Sequence, residues 1–352
     1  ILLALEPTFC AQTSTDVGVL IRQIVKVAQS SACLDAHVLS AAIRACGKAL
    51  CSDHALALFD QYGNEFGDGH CRNATITACA KSGMIRPAMS LLPEIPTADN
   101  VSMDELDMIR IGYNAALTAC EKSGEYKTAL SLLQKLKASV VGADRISYNC
   151  AISACEKAAK SEHALALLKS MLREGILPDS VSLSAVLLST AHGTGQWRTA
   201  LRVILPWRRG AWPIRDVHPC LVGQKPCKPT TAGFSAAIAA CAPAGRHEEI
   251  LSLLREMSRL GLQKDAFTLQ SCVQSLEIAA PREVVARQAF LQQQALRVVS
   301  LFTPDIQEEN YDNGIVGDAR RRLTRSRLLT AIARLDSSPS TDLSGNHCVN
   351  VS

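Results

Sequence analysis

The chain contains one 35-residue unit written twice in succession. From Arg110 to Asp144 it reads RIGYNAALTACEKSGEYKTALSLLQKLKASVVGAD, and from Arg145 to Asp179 it reads RISYNCAISACEKAAKSEHALALLKSMLREGILPD. A fixed period of this length marks a stacked-repeat architecture, in which each unit buries its apolar surface only against its neighbours.

Within a unit, Tyr148, Ile152 and Cys155 recur at the spacing of one helix face, and Tyr113, Leu117 and Cys120 match them one unit earlier. One residue along, Asn149, Ser153 and Glu156 form a polar stripe at the same spacing. A break at Ser123-Gly124-Glu125, or Ala159-Lys160-Ser161, leads into a second apolar run, Ala164, Leu165, Leu168, Met171 and Leu172. Gly175 and Pro178 end that run. The unit is therefore a helical hairpin, and the expected fold is all-α: an α-solenoid of stacked helix-turn-helix hairpins. Aromatic residues make up 4% of the 352-residue chain, which suits closely packed helical pairs better than a sandwich or barrel.

Other copies flank the regular pair. Residues 1–35 hold a partial N-terminal repeat whose second helix starts near Asp16. The array proper runs from 36 to 206, with Ala36–Asp68 a short copy and Gly69–Ile109 a long one carrying an acidic insertion around Asp99–Asp107. Residues 207–230 form a basic, Pro-rich insertion. Repeats resume over 231–301, with the last second helix placed at Glu283–Leu301. A loop over Thr303–Gly317, an Arg-rich helix and a disorder-prone tail fill 302–352.

The net charge is +4, but its placement matters more. Arg208, Arg209, Arg215, Lys225 and Lys228 face only Asp216 in the insertion, and six arginines face only Asp318 between Asp318 and Arg334. The rest of the chain is slightly acidic, so no bulk basic face runs along the array. No apolar stretch is long enough to suggest a membrane span. Cys46, Cys79, Cys120, Cys155 and Cys241 share one slot of successive hairpins. Equivalent helices stack about 8 to 10 Å apart, too far for disulfides, so these thiols are expected to be buried core residues in a reducing compartment.

The units carry Tyr148-Asn149 at the fourth and fifth places, Ala154-Cys155-Glu156-Lys157 near the end of the first helix, Ala164-Leu165 opening the second and Pro178-Asp179 at the close. This pattern resembles the pentatricopeptide repeat family, over about residues 16 to 280. The 34-residue tetratricopeptide repeat, with its Trp, Gly and Tyr signature, fits less well. The resemblance implies a right-handed superhelix that reads single-stranded RNA, one base per hairpin.

It also implies roles for particular residues. Asn114 with Asp144, and Asn149 with Asp179, would read uracil, since an amide both donates and accepts. Ser40 with Asp68, and Ser235 with Asp265, would read guanine. Asn73 closes with Ile109 and Ser184 with Thr230, and neither pair fits the family code. The expected site is of the form G-n-U-U-n-G. Ile111, Ile146 and Val181, second in their units, would sandwich bases, and Lys48, Lys81, Lys122 and Lys157 would meet phosphates. Beside these stand plainer readings: Asp, Asn and Ser as helix caps, and each Lys as a cation at the C-terminal end of its own helix.

Other signals point less far. His218, Cys220 and Cys227 lie together in sequence, but their spacing matches no common zinc ligand set, so no metal or cofactor is expected. Trp207 and Trp212 among the arginines suit either stacking on bases or covering one end of a solenoid segment, the latter preferred. The Arg320–Arg327 stretch suits RNA phosphate, an anionic surface or a solvated helix face. A deaminase signature is absent from the sequence, and no carboxylate cluster is large enough for a metallonuclease. The expected function is a binder rather than an enzyme, with single-stranded RNA as partner, no membrane and no small-molecule substrate. The competing reading is a helical scaffold for a protein partner. By family analogy the setting is a mitochondrion or plastid, and the chain, which starts at Ile1, is expected to be a piece of a longer protein whose targeting segment is missing.

Overall fold

The structure is a computed structural model, and it describes residues 14–30, 34–66, 68–96, 102–191, 196–213 and 217–279, together with 293–294 and 297–298. The expected loop, Arg-rich helix and tail over 302–352 lie outside the described residues, as does most of the Glu283–Leu301 helix.

All regular structure among the described residues is helical. Helix α1 (Ser14–Ser30) is followed by hairpins in which a first helix is joined to a second: α2 (Ala36–Lys48) with α3 (Ser52–Phe66), α4 (Gly69–Lys81) with α5 (Ile85–Ser90), α6 (Met103–Ser123) with α7 (Tyr126–Lys137), and α8 (Arg145–Lys157) with α9 (Ser161–Arg173). Then come α10 (Ser180–Ala191), α11 (Trp197–Arg208), α12 (Thr231–Cys241), α13 (His247–Arg259) and α14 (Ala266–Ala279). The chain divides into two compact units, one comprising Ile1–His192 with Leu205–Lys228 and the other Gly193–Ile204 with Pro229–Ser352.

In the first unit, α2, α4, α6, α8 and α10 pack each on the next, and the second helix of a hairpin leans on the first helices to either side. First helices are therefore flanked on both sides. Tyr148, Ala151, Ile152, Ala154 and Cys155 of α8 are all buried, and so is Ser153, which the sequence pattern had placed on the polar face. Second helices bury one stripe only: Ala164, Leu167, Leu168, Met171 and Leu172 in α9. Truncating any one of these leucines to alanine costs about 2 to 5 kcal/mol.

The turn inside each hairpin needs one residue in the left-handed region. Gly83 and Gly124 supply it at φ +71° and +72°, and Leu50 and Ala159 take the same place at +59° and +54°. Two stretches differ from the sequence reading. The acidic insertion expected around Asp99–Asp107 is in part helical: Met103–Ile109 form the first two turns of α6, whose N-terminus is capped by Ser102 Oγ accepting from Glu105 N. The α6 hairpin thus begins seven residues before Arg110. Helix α5 is only six residues long, because Pro93 and Pro96 follow closely and disfavour helix before them.

In the second unit, α12, α13 and α14 form one hairpin and the first helix of the next. Phe234, Ile238, Leu251, Leu254 and Met257 are buried between them. His247 is buried too, with Nδ1 3.4 Å from Ser275 Oγ and Nε2 3.1 Å from Gln294 Oε1.

Candidate nucleic-acid interface

The first-helix starts determine which side chains stand at the repeat junctions. Asp35, Asp68 and Asp144 are N-caps, with extended backbone, and each accepts from the backbone N–H three residues on. That geometry points the carboxylate back over the preceding hairpin. In the two regular units the preceding hairpin presents an asparagine there.

Asn114 donates through Nδ2 to both carboxylate oxygens of Asp144, each at 3.2 Å. Asn149 does the same to Asp179, at 3.2 and 3.1 Å. A third residue completes each group. Ser147 Oγ lies 2.5 Å from Asn114 Oδ1 and 2.9 Å from Asp144 Oδ1, and its backbone N donates to Asp144 Oδ1 at 2.8 Å. Ser182 repeats this with Asn149 and Asp179 at 2.5, 3.0 and 3.0 Å. Burial works against ionisation of Asp179, but the bonds from Ser182 and Asn149 and the nearby Arg145, 3.7 Å away, outweigh it and hold the carboxyl below its ordinary range. Each asparagine keeps one N–H and one oxygen lone pair outside these bonds, and both asparagines are half-exposed.

The second unit contains a related group. Ser235 Oγ is 2.9 Å from Thr268 Oγ1, and Thr268 Oγ1 donates to Asp265 Oδ1 at 2.6 Å. The single Thr268 proton is committed to Asp265, so Ser235 donates to Thr268 and keeps acceptor character on its oxygen.

The remaining coded residues are placed differently. Ser40 is buried and donates to His37 O at 3.1 Å, while Asp68 caps α4; no hydrogen bond joins the two. The third residue of the next hairpin is Cys71 there, and its thiol turns to Ala36 O at 3.3 Å instead of bridging. Asn73 is buried and donates to Met108 O at 2.8 Å, inside the extended α6. Its Oδ1 stands 2.7 Å from where a Cβ on Gly112 would lie.

Ile111, Ile146 and Val181 are exposed at 54%, 56% and 54%, on the residue before each bridging position or its glycine counterpart. His37, His70 and Phe267 occupy the same register position and are exposed as well. The bridging Ser147, Ser182 and Thr268 are the functional candidates that the sequence reading missed. Their signal was present: Asp144, Asp179 and Asp265 are each followed three residues later by Ser or Thr, a capping-box spacing.

Lys48, Lys81, Lys122 and Lys157 are all exposed. Lys122 Nζ donates to Lys81 O at 2.7 Å, at the end of α4, and Lys157 Nζ lies 3.9 Å from Glu121. Lys122 thus stands in the last turn of its own helix α6 and also donates to the end of the preceding first helix. Burial pushes the thiols of Cys79, Cys120 and Cys155 up to about 11 and those of Cys46 and Cys241 up to about 12, so these slots are filled by protonated core residues. Among the described residues no group of His, Cys, Asp and Glu is placed to hold a metal. No described helix is long and apolar enough to cross a membrane.

The comparisons with known proteins bear on these hairpins directly. Residues 146–176 and 234–262 match the PPR repeat, and residues 98–157 match the pentatricopeptide repeat domain. No curated protein is detectably similar in sequence. Solved structures with a similar fold include the pentatricopeptide repeat protein PPR10 from maize, with TM-score 0.52, 18% identity, and coverage of 95% of this chain and 45% of that one. Another is PPR10 in complex with an 18-nt psaJ RNA element, with TM-score 0.51, 19% identity, and coverage of 92% and 47%. The chain spans less than half the length of these structures. Two stretches of the chain, 98–176 and 234–262, thus match pentatricopeptide repeats in sequence, and the helical-repeat fold is shared with a pentatricopeptide repeat protein.

Proposed function

We propose that the chain binds single-stranded RNA with sequence preference, each complete Asn-Asp-Ser group addressing one base. The observation that carries this is the repeated group at Asn114, Asp144 and Ser147 and at Asn149, Asp179 and Ser182. A half-exposed asparagine amide that keeps a donor and an acceptor beyond these bonds matches the O4 and N3–H edge of uracil. The exposed Ile111, Ile146 and Val181 flank these amides in register and offer apolar faces against which unstacked bases can lie. Two adjacent uracils are the central expectation. A guanine at the Ser235 group follows from its acceptor oxygen, and the Ser40–Asp68 pair, which lacks a bridging hydroxyl, is the weaker reader.

The relative solved with an RNA element is in keeping with this, and the family's usual setting extends the proposal to RNA processing, stability or translation in a mitochondrion or plastid. The chain acts in this reading as a binder rather than a catalyst. The test is a titration of U-rich and A-rich single strands, repeated with Asn114→Thr and Asn149→Thr. Preference for the U-rich strand that falls in both variants supports the reading. Equal affinity for both strands before and after the changes overturns it, and a protein that co-purifies after RNase treatment favours the scaffold instead.

A further inference from the structure

The insertion after α11 is a built platform rather than a slack connection. Trp207 is fully buried, and its Nε1 donates to Cys227 O at 2.6 Å; Trp212 is half-exposed, and its Nε1 donates to Gln224 O at 3.0 Å. These two indole bonds close the segment into a strap. Gln224 Nε2 in turn donates to Cys220 O at 3.0 Å. A short 3-10 turn, Pro219–Leu221, buries Leu221 and docks the strap on the end of α9, where His218 N donates to Leu172 O at 3.0 Å. The docking is close: a Cβ on Gly175 would lie 2.8 Å from Cys220 Sγ.

The strap is therefore seated just before the Asn149–Asp179 pair: it meets the chain at Leu172 and Gly175, and Gly175 is four residues from Asp179. Its charge is predominantly positive, with Arg208, Arg209, Arg215, Lys225 and Lys228 against Asp216 in the sequence. The described residues between Leu205 and Lys228 include Arg208, Arg209, Lys225 and Lys228 and no Asp or Glu. No described carboxylate pairs with Arg209, Lys225 or Lys228, and all three are exposed. The stem of Lys225 lies 3.8 Å from where a Cβ on Gly210 would be, against the turn that joins Arg209 to Trp212. The two tryptophans thus divide the roles weighed from sequence: Trp207 is packing, and Trp212 is a held, accessible ring among cations.

We propose that the strap is a second RNA-binding element, in which Arg209, Lys225 and Lys228 meet backbone phosphates of the strand leaving the Asn149–Asp179 pair, and Trp212 stacks on a base of any identity. This goes beyond the proposed base reading, since the strap contributes affinity without sequence preference. A held, accessible Trp212 ring beside cations with no described carboxylate partner suits a single-stranded nucleic acid better than a lipid surface, which would need no oriented ring.

The experiment titrates the full chain with U-rich and A-rich RNAs of about 12 nucleotides over a range of salt. It compares the wild type with the triple variant Arg209→Ala, Lys225→Ala, Lys228→Ala and with Trp212→Leu, each checked by thermal melting. The triple variant is expected to bind both strands about 10-fold or more weakly at low salt, with the salt slope reduced by about 2, as three lost phosphate contacts require. Trp212→Leu is expected to weaken both strands with the slope unchanged, and Trp212→Phe to restore most of the loss. An unchanged slope, or a loss confined to the U-rich strand, overturns the proposal. So does a triple variant that loses binding to phosphatidylglycerol vesicles while its RNA titrations match the wild type. The two readings fail separately: a wild type without U preference sinks base reading and leaves the slope test intact, whereas an unchanged slope with U preference retained sinks only the strap.

Discussion

Asn149 Nδ2 lies 3.2 and 3.1 Å from the two carboxylate oxygens of Asp179, thirty residues away, and the amide's own oxygen takes the Ser182 hydroxyl at 2.5 Å. The amide is held at both ends, so its free edge has a fixed direction. Replacing Ser182 by Ala removes the donor to Asn149 and leaves the Asp179 N–H without its acceptor. A stability loss of about 1 to 2 kcal/mol is expected, with a fall in U-over-A discrimination. Ser182→Thr is expected to retain both, and paired thermal melts and RNA titrations check this.

Gly112 allows α6 to approach α4 at Asn73. A Cβ there would lie 2.7 Å from Asn73 Oδ1, and Asn73 is buried and bonded to Met108 O. Gly112→Ala is therefore expected to destabilise by about 1 to 3 kcal/mol. In an Asn73→Ala background the same change is expected to cost less, a coupling that a double-mutant cycle in urea would measure.

Leu50 and Ala159 hold positive φ where the equivalent hairpin turns carry glycine. A Cβ in that region clashes with the following carbonyl at about 1 to 2 kcal/mol, partly offset by the freer unfolded chain that glycine brings. Ala159→Gly is expected to stabilise by about 0.5 to 1 kcal/mol on balance. A raised midpoint in urea with unchanged m-value is the readout, and a lowered midpoint contradicts it.

Burial holds His247 below its ordinary value of 6.5, although the Gln294 bond and Glu248 oppose the shift. The folded state therefore takes up a proton less readily than the unfolded chain. Stability from neutral His247 is fully present above the unfolded value and is lost as pH falls from there through the folded value. Melting temperature is expected to decline across that window, and His247→Gln to flatten the decline. Scans from neutral to mildly acidic pH would show both.

The period, the helical hairpins and the apolar slots were legible because stacked helices impose them on every unit alike. Cys120 and Cys155 fill equivalent buried places for that reason. What escaped the sequence lies where neighbours decide. Met103–Asp107 belongs to the stretch read as an acidic insertion, yet a Ser102 cap and packing on α4 carry it into α6. Ser153 shares a stripe with Asn149 but is buried, because a first helix is flanked on two sides. The bridging hydroxyls went unread because the residues they join stand in different units. Lys122 likewise serves the helix before its own, a relation its thirteenth-place register alone does not reveal.

The bond from Ser182 to Asn149 makes the side-chain group of one hairpin depend on the first turn of the next. A hairpin cut after Asp179 leaves its asparagine half-held, and whatever hairpin is joined next inherits the task of orienting it. A hairpin cut after Ser182 travels with its amide already aimed. Exchanging units in the first frame would change the hydrogen bonding of the asparagine left behind, and exchanging them in the second would not, so the self-contained cassette of this array is offset by three residues from its written repeat.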